Sequence, residues 1–197
     1  ALFKVLKKDT RMELIIPECF KKFPVVAGIT LRNGGVSPPP YSSLNLGFKS
    51  QDKAENVIRN RQLLYDYLGK SEKNFVYGNQ IHGDEIIIVN KTHSGRGAFS
   101  SDTALDGIDG MITTGKNLFL TIQTADCMSI FLYDYRMKVI ALLHAGWKGT
   151  YLNITGKAVA KMTEELKSNP EEIIVYLGPC ISVINYSVGD EFKRYFK

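Results

Sequence analysis

The alternation of apolar and polar positions predicts short strands and turns in the first third of the chain. Residues 3–6, 12–16 and 25–32 are rich in strand-forming side chains, and Asn33-Gly34-Gly35 supplies turn chemistry after the last of them. These segments predict an antiparallel meander. Three consecutive prolines then exclude a regular helix or a central strand over residues 37–43, which predicts a loop.

The pattern changes to helical spacing over residues 52–68. Asp52 can serve as the N-cap with Glu55 three residues on, and Gly69 follows as the C-terminal stop. The apolar stripe consists of Ala54, Val57, Ile58, Leu64, Tyr65 and Leu68. Arg61 falls on this same stripe, although arginine is seldom buried without a partner. We expect Arg61 either to reach the surface or a structural carboxylate, or to bind a phosphate or carboxylate at a pocket edge.

The second half of the chain alternates predicted strands with helices. Apolar runs predict strands over residues 85–89, 118–123 and 173–177. A helix is expected over residues 150–167, and a last helix begins at residue 189. Strands that alternate with helices in this way indicate an α/β fold.

Residues 117–149 predict an apolar hairpin that brings a cysteine and a histidine together. Two strands, over residues 128–133 and 138–143, flank a polar turn, and a tight turn at this place pairs Cys127 with His144. Directly opposed residues of an antiparallel pair have Cβ atoms about 4.5–5.5 Å apart, close enough to interact or to share a metal ion. A slip of one residue would place the two side chains on opposite faces.

The pair of Cys127 and His144 is the candidate reaction centre. An isolated cysteine in a strand is usually a small buried hydrophobe, so the facing histidine carries the functional interpretation. A neighbouring imidazole can turn a thiol into a nucleophile, and the same two side chains are also zinc ligands. These residues alone therefore leave both a cysteine hydrolase and a zinc enzyme open. One cysteine with two histidines would leave a fourth zinc position for water or substrate.

Composition and charge narrow the possible partners. The chain of 197 residues has 44% hydrophobic and 11% aromatic residues, enough for a sizeable core. Its net charge of +5 comes from dispersed lysines and arginines, which argues against a nucleic-acid partner but suits a phosphate-bearing small molecule. Three widely separated cysteines without a C-x-x-C motif predict neither a disulfide framework nor a zinc finger.

No membrane or secretory segment is predicted. No apolar run approaches the roughly 20 residues that cross a bilayer, and the N-terminal stretch ALFKVLKKDT is too short and interrupted for a secretory signal. The expected location is the cytoplasm, with no membrane partner.

The sequence as a whole resembles a known family. The blocks TLRNGGVSPPPYSSLNLG, NRQLL, NQIHG, DGMIT, TADCMSIFLYD, LHAGWKGT, LGPCIS and YSVGDEF match, in order and spacing, the YfiH family, also labelled laccase-domain or multicopper polyphenol oxidase-like. The resemblance covers essentially all 197 residues. It implies a single α/β (α+β) domain over residues 1–197, with layered mixed β-sheets and flanking helices, that lacks the family's usual C-terminal portion.

The resemblance also implies a zinc-dependent purine nucleoside enzyme. Its zinc ligands would be His82, Cys127 and His144, which would also be the catalytic residues, and Arg61 would bind phosphate or another substrate anion. The reactions implied are phosphorolysis of adenosine, inosine and S-methyl-5'-thioadenosine to free base and ribose 1-phosphate, with deamination of adenosine. The oligomeric state is left open.

Two other enzyme classes compete with this expectation. Cys127 and His144 can form a hydrolase dyad that acts on an amide in cell-wall precursor editing, a role attached to some relatives. The family's older label suggests a copper-dependent polyphenol oxidase, which ranks last because multicopper chemistry needs more ligands than the three histidines of this chain supply.

Overall fold

The computed structural model describes residues 12–195, so the strand predicted over residues 3–6 lies outside the described residues. The strands are β1 Leu14–Ile15, β2 Ile29–Thr30, β3 Phe75–Asn79, β4 Ile86–Ile88, β5 Leu105–Asp106, β6 Gly110–Thr113, β7 Phe119–Thr121, β8 Met128–Asp134, β9 Val139–Ala145 and β10 Ile173–Leu177. The α-helices are α1 Ala54–Leu68, α2 Trp147–Tyr151 and α3 Ile154–Leu166. Single turns of 3-10 helix lie at Glu18–Phe20, Glu72–Asn74, Lys91–His93, Ser101–Thr103, Pro170–Glu172, Val183–Asn185 and Asp190–Arg194.

The strands form sheets of mixed direction. The largest sheet has the order β10-β8-β9-β6-β4, in which only the β4 and β6 pair is parallel. A three-stranded parallel sheet has the order β5-β3-β7. The short strands β1 and β2 pair antiparallel. They lie within the strands predicted over residues 12–16 and 25–32, but each has only two residues. The expected α/β fold with layered mixed sheets is confirmed.

Alternation of side chains along β6 shows how the layers stack. Ile112 faces α3 and belongs to a core cluster with Ile154 and Met162. Met111 points to the other face of the sheet, where it packs against Val76 of the three-stranded sheet. The far face of that smaller sheet is covered by α1, whose Tyr65 stacks on Phe75 with ring centroids 4.4 Å apart. The layers therefore run α3, large sheet, small sheet, α1.

Helix α1 begins at Ala54, one residue later than an N-cap at Asp52 would predict. Its N-cap is Lys53, which makes no side-chain capping bond, so the assignment of Asp52 as N-cap was wrong. The carboxylate of Asp52 instead accepts hydrogen bonds from Asn56 Nδ2 and from Ser37 Oγ in the proline-rich loop. The predicted stop is confirmed, because Gly69 adopts a left-handed φ of 62° at the C-cap.

The single helix predicted over residues 150–167 is two helices. Asn153 has a left-handed φ of 59° between α2 and α3, and its side chain caps α3 by accepting a hydrogen bond from the N–H of Gly156. An asparagine tolerates this conformation better than most residues, and a short polar side chain at such a position is a helix-start signal. The chain thus turns sharply after α2.

The predicted last helix is a turn of 3-10 helix, Asp190–Arg194. Its aromatic residues pack on the start of α2: the rings of Phe192 and Tyr195 lie 4.8 Å and 5.2 Å from that of Trp147. Among residues 12–195, no helix has the length and apolar character needed to span a membrane.

Candidate metal centre

The structure brings together the three residues expected to bind a metal. One ligand atom from each of His82, Cys127 and His144 lies within 4.8 Å of the corresponding atoms of the other two. His82 is exposed, Cys127 is half-buried and His144 is buried. The cluster is therefore open on the His82 side and anchored in the core at His144.

The hairpin reaches this arrangement through a register that differs from the predicted one. His144 pairs with Ser129, two residues beyond Cys127, so the direct opposition of Cys127 and His144 was wrong. The four-residue turn lies at residues 135–138, one residue later than predicted. Asp134 accepts hydrogen bonds from the N–H groups of Arg136 and Met137, and Lys138 closes the turn with a φ of 59°. A shift of two residues preserves the face of each side chain. Cys127 and His144 therefore remain diagonal neighbours on one face of the sheet.

His82 is held in the loop between β3 and β4. Its φ of 60° is left-handed, an uncommon conformation for a residue with a side chain. The carboxylate of Asp109 accepts hydrogen bonds from three successive backbone N–H groups, those of Ile81 at 3.1 Å, His82 at 3.0 Å and Gly83 at 2.8 Å. These bonds fix the loop and explain how His82 is kept in this backbone conformation.

The same carboxylate orients His144. Asp109 Oδ1 lies 2.7 Å from His144 Nδ1, and the backbone N–H of His144 donates to the Asp109 carbonyl, also at 2.7 Å. Burial raises the pKa of Asp109, but hydrogen bonds from His144 and from the N–H groups of Gly83 and Ile81 outweigh it, so the pKa is lowered overall. An ionised carboxylate only accepts hydrogen bonds, so Nδ1 of His144 donates and Nε2 is left for a metal.

Asp109 is the site residue that sequence reasoning missed. It lies in the stretch LDGIDGMITTG, where its glycine neighbours indicate turns and nothing local distinguishes it from the aspartate at position 106. Its importance depends on β6 lying beside β9, which places Asp109 next to His144. A metal-binding histidine commonly donates its second ring nitrogen to a carboxylate, so a search for a partner to His144 was the available signal.

The surroundings of Cys127 are apolar and negatively charged. Burial raises the pKa of its thiol, and the carboxylates of Asp126 and Asp109 raise it further, as does Cys180. A free thiolate is therefore disfavoured at this position. The same negative surroundings favour a cation, which would itself deprotonate a coordinating thiol.

Two glycines allow the elements of the site to approach closely. A Cβ at Gly146 would lie 3.0 Å from Cys127 Sγ and 3.3 Å from His82 Cδ2. A Cβ at Gly149 in α2 would lie 2.8 Å from the carbonyl oxygen of Gly83. The glycines of the HAGWKG segment thus leave room for the ligand set and for the loop that carries His82.

Arg61 is buried among backbone carbonyl groups and aromatic rings. It is 2% exposed, and its guanidinium donates to the carbonyl oxygens of Leu46 and Ala98 at 2.8 Å and 3.2 Å, as well as to that of Gly97. Its carbon Cζ also lies 4.4 Å and 4.0 Å from the ring centroids of Phe48 and Tyr77. These contacts account for a buried arginine on the apolar stripe, and its role in binding phosphate stays a prediction.

A pair of glutamines joins the Arg61 region to the metal-ligand loops. The side-chain amide of Gln80 donates to the backbone carbonyl of Gln123 and accepts from the backbone N–H of Gln123, both at 2.8 Å. Gln123 Nε2 also donates to the carbonyl of Leu46, which is the oxygen that Arg61 binds. The chain before His82 and the chain before Cys127 are therefore tied together and to the loop that follows the prolines.

The donor set fits a zinc ion. Tetrahedral zinc takes imidazole nitrogen at about 2.0–2.1 Å and thiolate sulfur at about 2.3 Å, so that two of its ligands lie about 3.3–3.7 Å apart. The three donor atoms here lie within 4.8 Å of one another, so the side chains need to close in by about 1 Å to hold the ion. Two imidazoles, one thiol and a carboxylate behind one imidazole form the donor chemistry of an open zinc site.

Comparisons with known proteins identify the family of this chain. Residues 26–197 match the family model described as multi-copper polyphenol oxidoreductase laccase. A purine nucleoside phosphorylase YlmD from Bacillus subtilis (strain 168) is 39% identical over 166 residues, which cover 84% of this chain and 60% of that protein. The chain thus spans about 60% of the length of this relative.

Two solved structures are similar to this chain in both fold and sequence. The crystal structure of Bacillus licheniformis YfiH has a TM-score of 0.89 and 36% identity, covering 96% of this chain and 69% of that one. The crystal structure of YlmD from Geobacillus stearothermophilus has a TM-score of 0.84 and 34% identity, covering 86% of this chain and 63% of that one.

Proposed function

Because the chain belongs to the multi-copper polyphenol oxidoreductase laccase family, to which its likeness to YfiH and YlmD also points, we propose that it acts as a zinc-dependent purine nucleoside phosphorylase. The observation that carries the proposal is the convergence of His82, Cys127 and His144, with Asp109 behind His144. The names of the relatives supply the substrate class, purine nucleosides and phosphate.

Each residue has a distinct part in this proposal. His82, Cys127 and His144 would hold the zinc ion, and Asp109 would keep Nε2 of His144 directed toward it. When bound, zinc supplies Lewis-acid polarisation and lowers the pKa of a water molecule. The open side at His82 gives a nucleoside access to the centre.

The proposed reactions are phosphorolysis of adenosine, inosine and S-methyl-5'-thioadenosine, together with deamination of adenosine. In phosphorolysis, phosphate attacks C1' of the ribose while the bond to the purine breaks, so an arginine that positions phosphate would assist. Arg61 is proposed for this role, although its contacts in the structure are to carbonyl oxygens and aromatic rings. Deamination replaces the amino group at C6 of adenine with oxygen from water and needs no phosphate.

The experiment is product analysis with zinc-loaded protein. Each of the three nucleosides is incubated with and without phosphate, and bases, sugar phosphates and ammonia are measured. Phosphorolysis predicts free base and the sugar 1-phosphate only when phosphate is present. Deamination predicts ammonia from adenosine in both cases, with inosine accumulating when phosphate is absent. Cys127→Ala should lose both activities, with Cys19→Ala as the matched control. Unchanged release of hypoxanthine from inosine by Cys127→Ala would show that the centre is elsewhere.

A Cys-His hydrolase is the second candidate, and one observation favours it. Cys127, His144 and Asp109 stand in the order of nucleophile, base and orienting carboxylate. The raised pKa of Cys127 counts against it, because a nucleophilic cysteine needs a stabilised thiolate. Metal-free protein that hydrolyses an amide and is inactivated by thiol alkylation would favour the hydrolase.

The copper oxidase has less support. The described cluster contains two histidines and one cysteine, and multicopper oxidation needs several histidine-rich sites. Elemental analysis distinguishes the candidates, since the nucleoside enzyme predicts stoichiometric zinc without copper.

A further inference from the structure

Cys180 lies three residues beyond the end of β10, the strand that borders the hairpin, and Cys127 lies just before β8. Strands β8 and β10 pair antiparallel up to Leu177 and Ile130. Beyond the strands two backbone hydrogen bonds still join the chains: the N–H of Gly178 donates to the carbonyl of Ser129 at 2.8 Å, and the N–H of Ile181 donates to the carbonyl of Asp126 at 2.9 Å. The segment between these bonds contains Cys180 on one chain and Cys127 on the other, so the bonds hold the two cysteines close together.

The two thiols also lie near each other. A Cβ at Gly178 would come within 2.2 Å of Ser129 Oγ, so positions 178 and 129 face each other on one side of the sheet. Cys127 lies on this side, because its Sγ is within 4.8 Å of a ring nitrogen of His144, which pairs with Ser129. Electrostatic interaction between the two thiols is consistent with this placement.

The geometry suits a disulfide bond. The hydrogen bonds on either side of the cysteines hold the two chains near the Cα separation of paired strands, about 4.5–5.5 Å, and disulfides span Cα separations of about 4.4–6.8 Å. Cys180 is exposed and Cys127 is half-buried, so an oxidant can reach the pair from the Cys180 side. The third cysteine, Cys19, is in the 3-10 turn Glu18–Phe20 and has no such partner among the described cysteines.

We propose that Cys127 and Cys180 form a reversible disulfide that removes the Cys127 thiol from the metal-ligand set. With hydrogen peroxide as the oxidant, the sulfur of Cys180 attacks one peroxide oxygen, the O–O bond breaks, and a sulfenic acid and one water form. The sulfur of Cys127 then attacks that of Cys180, the S–O bond breaks and a second water leaves. Overall, two thiols are oxidised to one disulfide and one peroxide is reduced to two waters.

The consequence for metal binding rests on the proposed function. Once Cys127 is in a disulfide, His82 and His144 are the only members of the cluster left to hold zinc. Loss of a metal ligand should weaken zinc binding at least as much as loss of a supporting residue, which costs about tenfold or more. The disulfide itself requires neither zinc nor nucleoside, so it can be tested separately.

The test begins with chelator-treated protein exposed to equimolar hydrogen peroxide. Peptide mapping by mass spectrometry without reductant should find the peptides of Cys127 and Cys180 linked and lighter by two hydrogen atoms, and dithiothreitol should reverse the link. Cys180→Ser should abolish the link, and the matched control Cys19→Ser should leave it intact. A link to Cys19, or sulfinic acid at Cys127 without any disulfide, would overturn the proposal.

Zinc titration of oxidised and reduced protein then tests the effect on the centre. We expect zinc to bind at least about tenfold more weakly after oxidation, with recovery on reduction, and no change for peroxide-treated Cys180→Ser. Equal zinc affinity in both redox states would refute the removal of Cys127 from the site. Reduced protein that binds no zinc would instead refute the proposed metal function and leave the disulfide standing.

Discussion

The buried carboxylate of Asp109 lies 2.7 Å from His144 Nδ1 and also accepts the backbone N–H of His82 at 3.0 Å. One side chain thus positions two of the three candidate metal ligands, which come from different parts of the chain. The third, Cys127, is positioned by the hairpin pairing of β8 with β9. Asp109 therefore links the loop after β3 to the end of β9.

Asp109→Asn should weaken zinc binding by about 10–100-fold, because the imidazole of His144 loses its charged partner. Stability should fall by about 1–3 kcal/mol, since a buried amide cannot replace the carboxylate as acceptor of every hydrogen bond. Zinc affinity by competition with a chromophoric chelator, and urea unfolding, measure the two effects. Asp106→Asn, at an exposed position nearby, is the matched control and should change neither much. Zinc affinity equal to that of the parent would contradict the positioning role.

Gly146→Ala should weaken zinc binding more than it lowers the stability of the fold. The added Cβ would lie 3.0 Å from Cys127 Sγ and 3.3 Å from His82 Cδ2, so both candidate ligands must shift by a few tenths of an ångström. We expect zinc binding to weaken by about tenfold or more and unfolding free energy to change by less than about 1 kcal/mol.

Gly47→Ala is the control for this change, because the nearest atom to its added Cβ would be Gln123 Oε1, at 3.5 Å. Zinc titration and urea unfolding of both variants decide the outcome. A Gly146→Ala protein that unfolds much more easily but keeps its zinc affinity would show that the glycine serves packing alone.

Arg61→Lys should destabilise the protein by about 2–4 kcal/mol. A lysine cannot reproduce a planar guanidinium that donates to several carbonyls and stacks between Phe48 and Tyr77. Arg59→Lys, exposed on the same helix, is the matched control and should be nearly neutral. Urea unfolding measures this effect, and the KM for phosphate measures the proposed binding role. If Arg61→Lys raised the KM for phosphate but left the stability unchanged, Arg61 would serve substrate binding and not the fold.

The sequence predicted those features that depend on local pattern. The strand Ile173–Leu177 is confirmed with its predicted bounds, and Gly69 ends α1 as expected. The prediction that Cys127 and His144 lie on one face of the sheet holds, although the predicted register was wrong. The register differs by two residues, and side chains two residues apart on a strand lie on the same face. The position of the turn depends on hydrogen bonds to the side chain of Asp134, which the apolar pattern does not reveal.

Other features depend on contacts between distant segments and were therefore not predictable from pattern. Asp109 acquires its role from the pairing of β6 with β9, and Arg61 acquires its carbonyl acceptors from loops near positions 46 and 97. His82 joined the site through the family resemblance, since nothing in its immediate sequence places it beside His144. Its ring centroid lies 4.8 Å from that of His144.

Asp52 should make the stability of the protein sensitive to acid. A hydrogen bond from Ser37 lowers the pKa of its carboxyl from 3.8 to about 2, with further contributions from Asn56, Asn45 and the N–H of Lys53 that together outweigh burial. Because the folded protein favours the ionised form, the stabilisation is complete above the ordinary pKa. It is lost as the pH falls from about 4 toward 2, where the carboxyl is protonated in the folded state as well.

Urea unfolding at a series of pH values tests this dependence with Asp52→Asn, which keeps the shape of the side chain but does not titrate. The difference in unfolding free energy between parent and variant should be constant above about pH 5 and shrink steadily below about pH 4. Ser37→Ala removes the largest contribution, so it should retain Asp52 but show a weaker dependence on pH. Parallel pH profiles for the parent and Asp52→Asn would contradict the prediction, because they would mean that Asp52 binds protons equally in the folded and unfolded states.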